Sequence, residues 1–183
     1  MIEYFKKYID QNTTLFLDRD GVLNIEKEND YIKNVDEFIW YDGVLENFHL
    51  LNKIFNRIIV VTNQRGIGKE LMTVSDLHSI HTYLNNELNK HHANIDAFYF
   101  APEITDSVNR KPNIGMALQA KIDFPQIDFS NSIMVGNNLS DLDFGKRIGA
   151  TTVLVETTTK VEMPHHLVDF KLDNFVSFCK LFS

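Results

Sequence analysis

Five short apolar runs punctuate the chain, and three of them lead into the polar residues named with them. They are Thr14-Leu15-Phe16-Leu17 before Asp18, Ile58-Ile59-Val60-Val61 before Thr62, Ala97-Phe98-Tyr99-Phe100, Ser132-Ile133-Met134-Val135 before Gly136-Asn137, and Thr151-Thr152-Val153-Leu154-Val155. Continuous, β-branched runs of this length fit strands buried on both faces of a parallel sheet. Between them the apolar positions change period. Val44, Leu45, Phe48, Leu51 and Ile54 recur at helical spacing, as do Leu77, Ile80, Leu84 and Leu88, with Ser75 or Thr73 as the cap of the second helix. Further helices are predicted over 115–122, 139–148 and the tail, 172–182. The alternation predicts an α/β fold: a doubly wound, mainly parallel, five-stranded Rossmann-like sheet with helices on both faces.

Two stretches lack a clear period, 24–41 and 102–112. Each follows the carboxyl end of a strand, where open α/β sheets build their ligand sites. Neither is long enough for a large cap domain. The 183 residues give one domain, 1–183. A net charge of −7 and a pI near 5.4 argue against a nucleic-acid partner held on a broad basic face. No apolar run approaches the ~20 residues of a membrane helix, and Met1–Lys7 lacks a signal-peptide layout, so no membrane partner and a cytoplasmic location are expected. Cys179 is the single cysteine, which leaves no internal disulfide and no cysteine-based zinc cluster.

The polar residues gather at the predicted strand ends. Strand one leads into Asp18-Arg19-Asp20-Gly21-Val22-Leu23-Asn24, and strand two into Thr62-Asn63-Gln64. Arg110-Lys111-Pro112 follows strand three, and Gly136-Asn137-Asn138-Leu139-Ser140-Asp141 follows strand four. This set resembles the haloacid dehalogenase-like phosphohydrolases, whose four motifs are Asp-x-Asp-Gly, a Thr or Ser closing strand two, a Lys, and a late acidic site. The resemblance spans nearly the whole chain. Asp-Arg-Asp-Gly-Val-Leu-Asn and Thr-Asn-Gln, with Tyr31, Phe38 and Asp42-Gly43-Val44, are similar to the branch holding histidinol-phosphate phosphatase and heptose bisphosphate phosphatase.

The resemblance implies a phosphomonoesterase acting on a small phosphorylated metabolite, such as heptose bisphosphate, another sugar phosphate or histidinol phosphate. Asp18 is the expected nucleophile and Asp20 the expected acid and base. Two carboxylates facing a phosphate repel it, each pair at 4 Å by about 4 kcal/mol at an effective dielectric near 20, so a cation is needed, and oxygen donors favour Mg²⁺. The expected metal set is Asp18, Asp20 through its backbone carbonyl, Asn137 and Asp141. Thr62 and Lys111 complete the catalytic set, and Asn63, Gln64 and Arg110 are expected to bind substrate.

Two departures from the family pattern matter. Asn137 stands where members usually carry Asp, so a ligating oxygen is kept and one negative charge is lost. It motivates a second reading, a binding or regulatory protein on the same scaffold with a weakened metal site. The stretch 101–109 lacks the Cys/His loop of heptose bisphosphate phosphatases, so no structural zinc is expected. His78, His81, His91, His92, His165 and His166 read as solvated side chains, residues 66–69 as a flexible loop near the site, and Trp40 and Tyr41 as core or rim packing, with Tyr31 and Trp40 as candidates for the entrance. Oligomeric state has no signature in the sequence.

Overall fold

The computed structural model describes residue 3 and residues 9–183, so Glu3 is the described part of the amino-terminal segment Met1–Lys7. A parallel sheet runs in the order β3-β2-β1-β4-β5-β6. Its strands are β1 (Thr14–Leu17), β2 (Arg57–Asn63), β3 (Ala97–Ala101), β4 (Ser132–Gly136), β5 (Thr151–Val155) and β6 (Phe170–Leu172). The helices are α1 (Val44–Asn52), α2 (Arg65–Gly68), α3 (Val74–Lys90), α4 (Gly115–Asp123), α5 (Leu139–Ile148) and α6 (Phe175–Cys179). The five predicted strands are all present.

Strand residues alternate between the two faces, and each face meets its own helices. Leu15, Leu17, Ile58, Val60, Ile133 and Val135 pack in one core with Val44, Phe48, Leu77, Ile80, Leu84, Phe175 and Phe178. Phe16, Ile59, Val61 and Met134 pack in the other with Met116, Ala117, Ala120, Phe144 and Ile148. This two-sided burial is why the runs read as continuous rather than alternating.

β6 and α2 differ from the expectation. β6 is a three-residue edge strand, paired Val153↔Phe170 to Val155↔Leu172, where a helix was predicted to begin at Leu172. It is too short to display a period and is defined by pairing with β5. The following helix is correspondingly shorter, starting at Phe175. Residues 65–68, read as part of a loop, form the short helix α2. Thr73, not Ser75, caps α3: its hydroxyl accepts from the Asp76 amide at 3.1 Å, and the Asp76 carboxylate accepts from the Thr73 amide at 2.8 Å.

From β1 the chain winds outward through β2 and β3, then returns to place β4 on the other side of β1. The carboxyl ends of β1 and β4 therefore flank a topological switch point, the crevice where open α/β sheets bind ligands. Residues 24–41 fold over that end, joined to themselves by the bridge Asn24↔Trp40. Among the described residues no helix is long and apolar enough to cross a membrane.

Candidate active site

The Asp18 amide donates to the Val135 carbonyl at 3.0 Å, carrying the β1–β4 pairing one residue past β1. This fixes the Asp18 side chain at the crevice. Lys111 Nζ lies 2.8 Å from Asp18 Oδ1 and 2.8 Å from Asp141 Oδ1, and it donates to the Val61 carbonyl at 2.7 Å. An ammonium has three N–H donors, so all are used. Burial, then the neighbouring Asp141 charge, pushes Asp18 up to about 7 against the pull of Lys111. Burial works against the Lys111 cation, but Asp141 and Asp18 outweigh it and hold its pKa above the ordinary lysine value.

Asp20 has a different environment. Arg19 grips it through Nε and Nη2 at 2.8–3.2 Å. Asn24 Nδ2 donates at 2.9 Å and Gln64 Nε2 at 3.1 Å. Burial opposes the charge, yet Arg19, aided by hydrogen bonds from Asn24 and Gln64, holds this carboxyl below the usual range. The side chain stays 25% exposed, whereas Asp18 is 9% exposed. Gly21 makes the turn possible at φ 81°, and a Cβ there would come within 2.0 Å of Asn137 Nδ2. A side chain at position 21 would therefore be strained and would collide with the end of β4.

The two aspartates open into a cavity of about 320 Å³, walled by Glu26, Lys27, Asp30, Tyr31 and Ile32 on one side and by Thr62, Asn63, Arg65, Arg110 and Ser140 on others. Thr62 Oγ1 accepts from Gln64 Nε2 at 2.9 Å, which leaves its own O–H free to donate. Arg110 and Arg65 stand close enough that burial, then the Arg65 charge, lowers Arg110. A wall with two like cations is suited to an anion.

A family model described as polynucleotide kinase 3 phosphatase matches residues 13–176. Its span covers all four motif positions. The chain belongs to the haloacid dehalogenase-like phosphatases. It is 35% identical over 148 residues to a D-glycero-alpha-D-manno-heptose-1,7-bisphosphate 7-phosphatase of Campylobacter jejuni, covering 81% of this chain and 84% of that one. A D-glycero-beta-D-manno-heptose-1,7-bisphosphate 7-phosphatase of Haemophilus influenzae is 33% identical over 177 residues, covering 90% of this chain and 94% of the relative. These place the chain in the heptose bisphosphate phosphatase branch, and the protein is a phosphatase. The fold is shared with a D,D-heptose 1,7-bisphosphate phosphatase from B. bronchiseptica, crystallised with magnesium and phosphate. That match has a TM-score of 0.81 at 24% identity, covering 92% of this chain and 96% of that one.

The remaining candidates can be placed within this phosphatase scaffold. Gln64 lines the cavity and donates to Asp20 and Thr62. Asn63 accepts from the Lys111 amide at 3.0 Å and donates to the Lys111 carbonyl at 3.2 Å, so its side chain fixes the lysine's backbone. Asp141 uses its second oxygen on the Asn138 amide at 3.0 Å, capping α5. Asn137 is fully buried. Its Nδ2 donates to Thr158 Oγ1 at 2.7 Å, and its Oδ1 has no protein partner. Burial raises the Glu26 carboxyl, although Thr158 and Asn137 stabilise its anion.

Some residues depart from expectation. His81 is 6% exposed and stacks on Phe98 at 4.3 Å, so it is a core side chain rather than a solvated one. Tyr31 lines the cavity as expected, and Trp40 packs edge-on against Phe38 as its packing role implies, but it lines a different depression rather than the entrance. Arg19, Asn24, Glu26 and Arg65 were not singled out as site residues. Arg19 and Asn24 stood inside the quoted motif, Glu26 lay in the segment 24–41 already marked as a wall, and Arg65 directly precedes the stretch read as a flexible loop near the site. Among the described residues no three His, Cys, Asp or Glu side chains converge as a metal cluster.

Proposed function

We propose that the chain is a Mg²⁺-dependent phosphomonoesterase that hydrolyses a small phosphorylated sugar, with heptose bisphosphate the favoured class, through an aspartyl-phosphate on Asp18. The observation that carries this reading is the triad Asp18–Lys111–Asp141, drawn from three distant segments to the floor of a small cavity whose walls carry Thr62, Arg65 and Arg110. The similarity to heptose bisphosphate phosphatases supports the substrate class.

The donor set fits a hard cation. Asp18 and Asp141 share one lysine, which leaves a net negative charge, and the Asn137 Oδ1 atom is buried without a partner. An isolated buried amide oxygen is costly, and a divalent cation bound by oxygen donors would satisfy it. Asp18, the backbone carbonyl of Asp20 and Asn137 would hold the ion, with Asp141 at its edge. When bound, it offsets the charge of the phosphoryl group facing the carboxylates.

An Asp18 carboxylate oxygen attacks phosphorus, and the ester P–O bond breaks. Asp20 gives its proton to the departing alkoxide oxygen. It begins below the usual carboxylate range, so the proton has to be taken up with the substrate, whose negative charge raises Asp20. The free Thr62 hydroxyl donates to a phosphoryl oxygen. Asp20, now anionic, takes a proton from water as that water attacks the phosphorus of the acyl phosphate. Cleavage of the Asp18–phosphorus bond releases phosphate and restores Asp18. Lys111 steadies Asp18 throughout, and Asn63 holds Lys111. Arg65 and Arg110 are placed to bind a second anionic group of the substrate.

The test is phosphate release from a panel of heptose 1,7-bisphosphate, other sugar phosphates, histidinol phosphate, nucleotides and 3′-phosphorylated oligonucleotides. Each is run with Mg²⁺, with chelator, and with Asp18→Asn. The expected result is fastest release from the heptose bisphosphate, abolished by chelator and by the substitution. Release that survives Asp18→Asn would overturn the nucleophile. Preference for the oligonucleotide would overturn the substrate class.

A further inference from the structure

Asn137 lies at the carboxyl end of β4, where related phosphatases usually place an aspartate. Its amide is fully buried, with Oδ1 unpartnered and Nδ2 given to Thr158. The missing negative charge has a counterpart nearby. Glu26, six residues beyond Asp20, turns into the same cavity as Asp18, Asp20 and Asp141. Its carboxylate meets the side chains of Thr158 and Asn137 and is repelled by Asp20 and Asp141.

The other cavity carboxylates are matched by cations. Lys111 serves Asp18 and Asp141, Arg19 serves Asp20, and Lys33 serves Asp30. Among the described residues no lysine, arginine or histidine forms an ion pair with Glu26. A half-buried carboxylate beside two others is unfavourable unless a cation comes to it. Thr158 Oγ1 accepts from Asn137 Nδ2, and both side chains stabilise the Glu26 anion, so the charge sits at the nitrogen end of the Asn137 amide rather than elsewhere on the rim.

We propose that Glu26 supplies the anionic charge of the divalent-cation site that Asn137 cannot. This rests on the metal-dependent reading of the site given above. Glu26 enters from the loop after β1, whereas the aspartate it replaces would enter from β4. The charge would then come from one wall of the crevice rather than from the other.

The experiment is Mn²⁺ binding, as a stand-in for Mg²⁺, followed by electron paramagnetic resonance and calorimetry on the full chain without substrate. The proteins are the wild type, Glu26→Gln, Glu26→Ala, and Glu26→Gln combined with Asn137→Asp, with thermal melts in chelator to establish that each is folded. Glu26→Gln and Glu26→Ala are expected to weaken Mn²⁺ by about 10–100-fold. Asn137→Asp is expected to restore most of that loss in the double variant. If the wild type binds Mn²⁺ and both Glu26 variants bind it equally well, the proposal for Glu26 falls and the metal-dependent function stands. If the double variant stays as weak as Glu26→Gln, the exchange of charge between positions 26 and 137 is overturned. If the folded wild type binds no Mn²⁺, the metal-dependent reading falls as well.

Discussion

Asp18 and Asp20 are two residues apart on one turn, yet the molecule surrounds them in opposite ways. Asp18 is nearly closed off. Its partner Lys111 comes from a segment 93 positions away, and Lys111 is shared with Asp141. Asp20 is more open and is held mainly by neighbours in sequence, Arg19 and Asn24, with Gln64 added from the end of β2. The first environment raises a carboxyl and the second lowers one. Divergent environments for adjacent carboxyls are how one site assigns different chemical roles to the same residue type.

The strongest way to break this contrast is to neutralise each aspartate in turn. Asp18→Asn removes the attacking atom and is expected to cost on the order of 10⁴-fold or more in kcat. Asp20→Asn removes an acid and base, expected to cost about 10²–10⁴-fold. The deciding comparison uses an aryl phosphate, whose leaving group needs little protonation. There Asp20→Asn should lose much less in the first step, while Asp18→Asn should stay inactive. Equal losses on both substrates would show that Asp20 acts on geometry rather than on the leaving oxygen.

A second test targets the cation that Asp18 borrows. Lys111→Met leaves Asp18 and Asp141 buried without their shared partner. Removing one member of a buried ion pair typically costs 3–5 kcal/mol, so about that loss is expected in urea unfolding at pH 8. At pH 5 the loss should shrink, because one of the paired carboxyls can take up a proton. A loss independent of pH would mean that Lys111 contributes by packing rather than by charge.

How much of this was legible in the sequence differs between the two environments. The runs at β1, β2, β4 and β5 are buried on both faces, so their composition alone identified them. The pair Asp18 and Asp20 was legible because its motif is local. The grip on Asp20 was half legible, since Arg19 and Asn24 lie in the same motif, but nothing in a linear chain shows that Gln64 also donates to Asp20. The same holds for the two hydrogen bonds by which the Asn63 side chain holds the Lys111 backbone. β6 escaped because three residues carry no period and its strand character depends on β5. Glu26 escaped because its importance depends on the closeness of Thr158 and Asn137, which lie more than 100 positions away.

His81 extends the Asp20 environment into the core and supplies the smallest of the expected effects. Its ring stacks on Phe98 at 4.3 Å, and its Nε2 is buried without a partner, as is Arg19 Nη1. Burial, then the Arg19 charge, depresses the imidazole from 6.5 to about 3. The folded protein therefore resists a proton that the unfolded chain accepts below about pH 6.5. Stability from this residue is complete above that value and is lost progressively as pH falls from about 6.5 toward about 3. At pH 5 the loss is roughly 2 kcal/mol, from 1.36 kcal/mol per unit over about 1.5 units. His81→Phe keeps the stack and removes the titration, so its stability should fall less between pH 7 and pH 5 than that of the wild type. Arg19→Met should raise the folded-state pKa in part, because burial is the larger cause, so it leaves the slope between pH 7 and pH 5 as it is and flattens it below pH 5, nearer the folded value. If Arg19→Met left the slope below pH 5 unchanged, the guanidinium that grips Asp20 would be electrically separate from His81, and the second environment would end at the site rather than reach into the core.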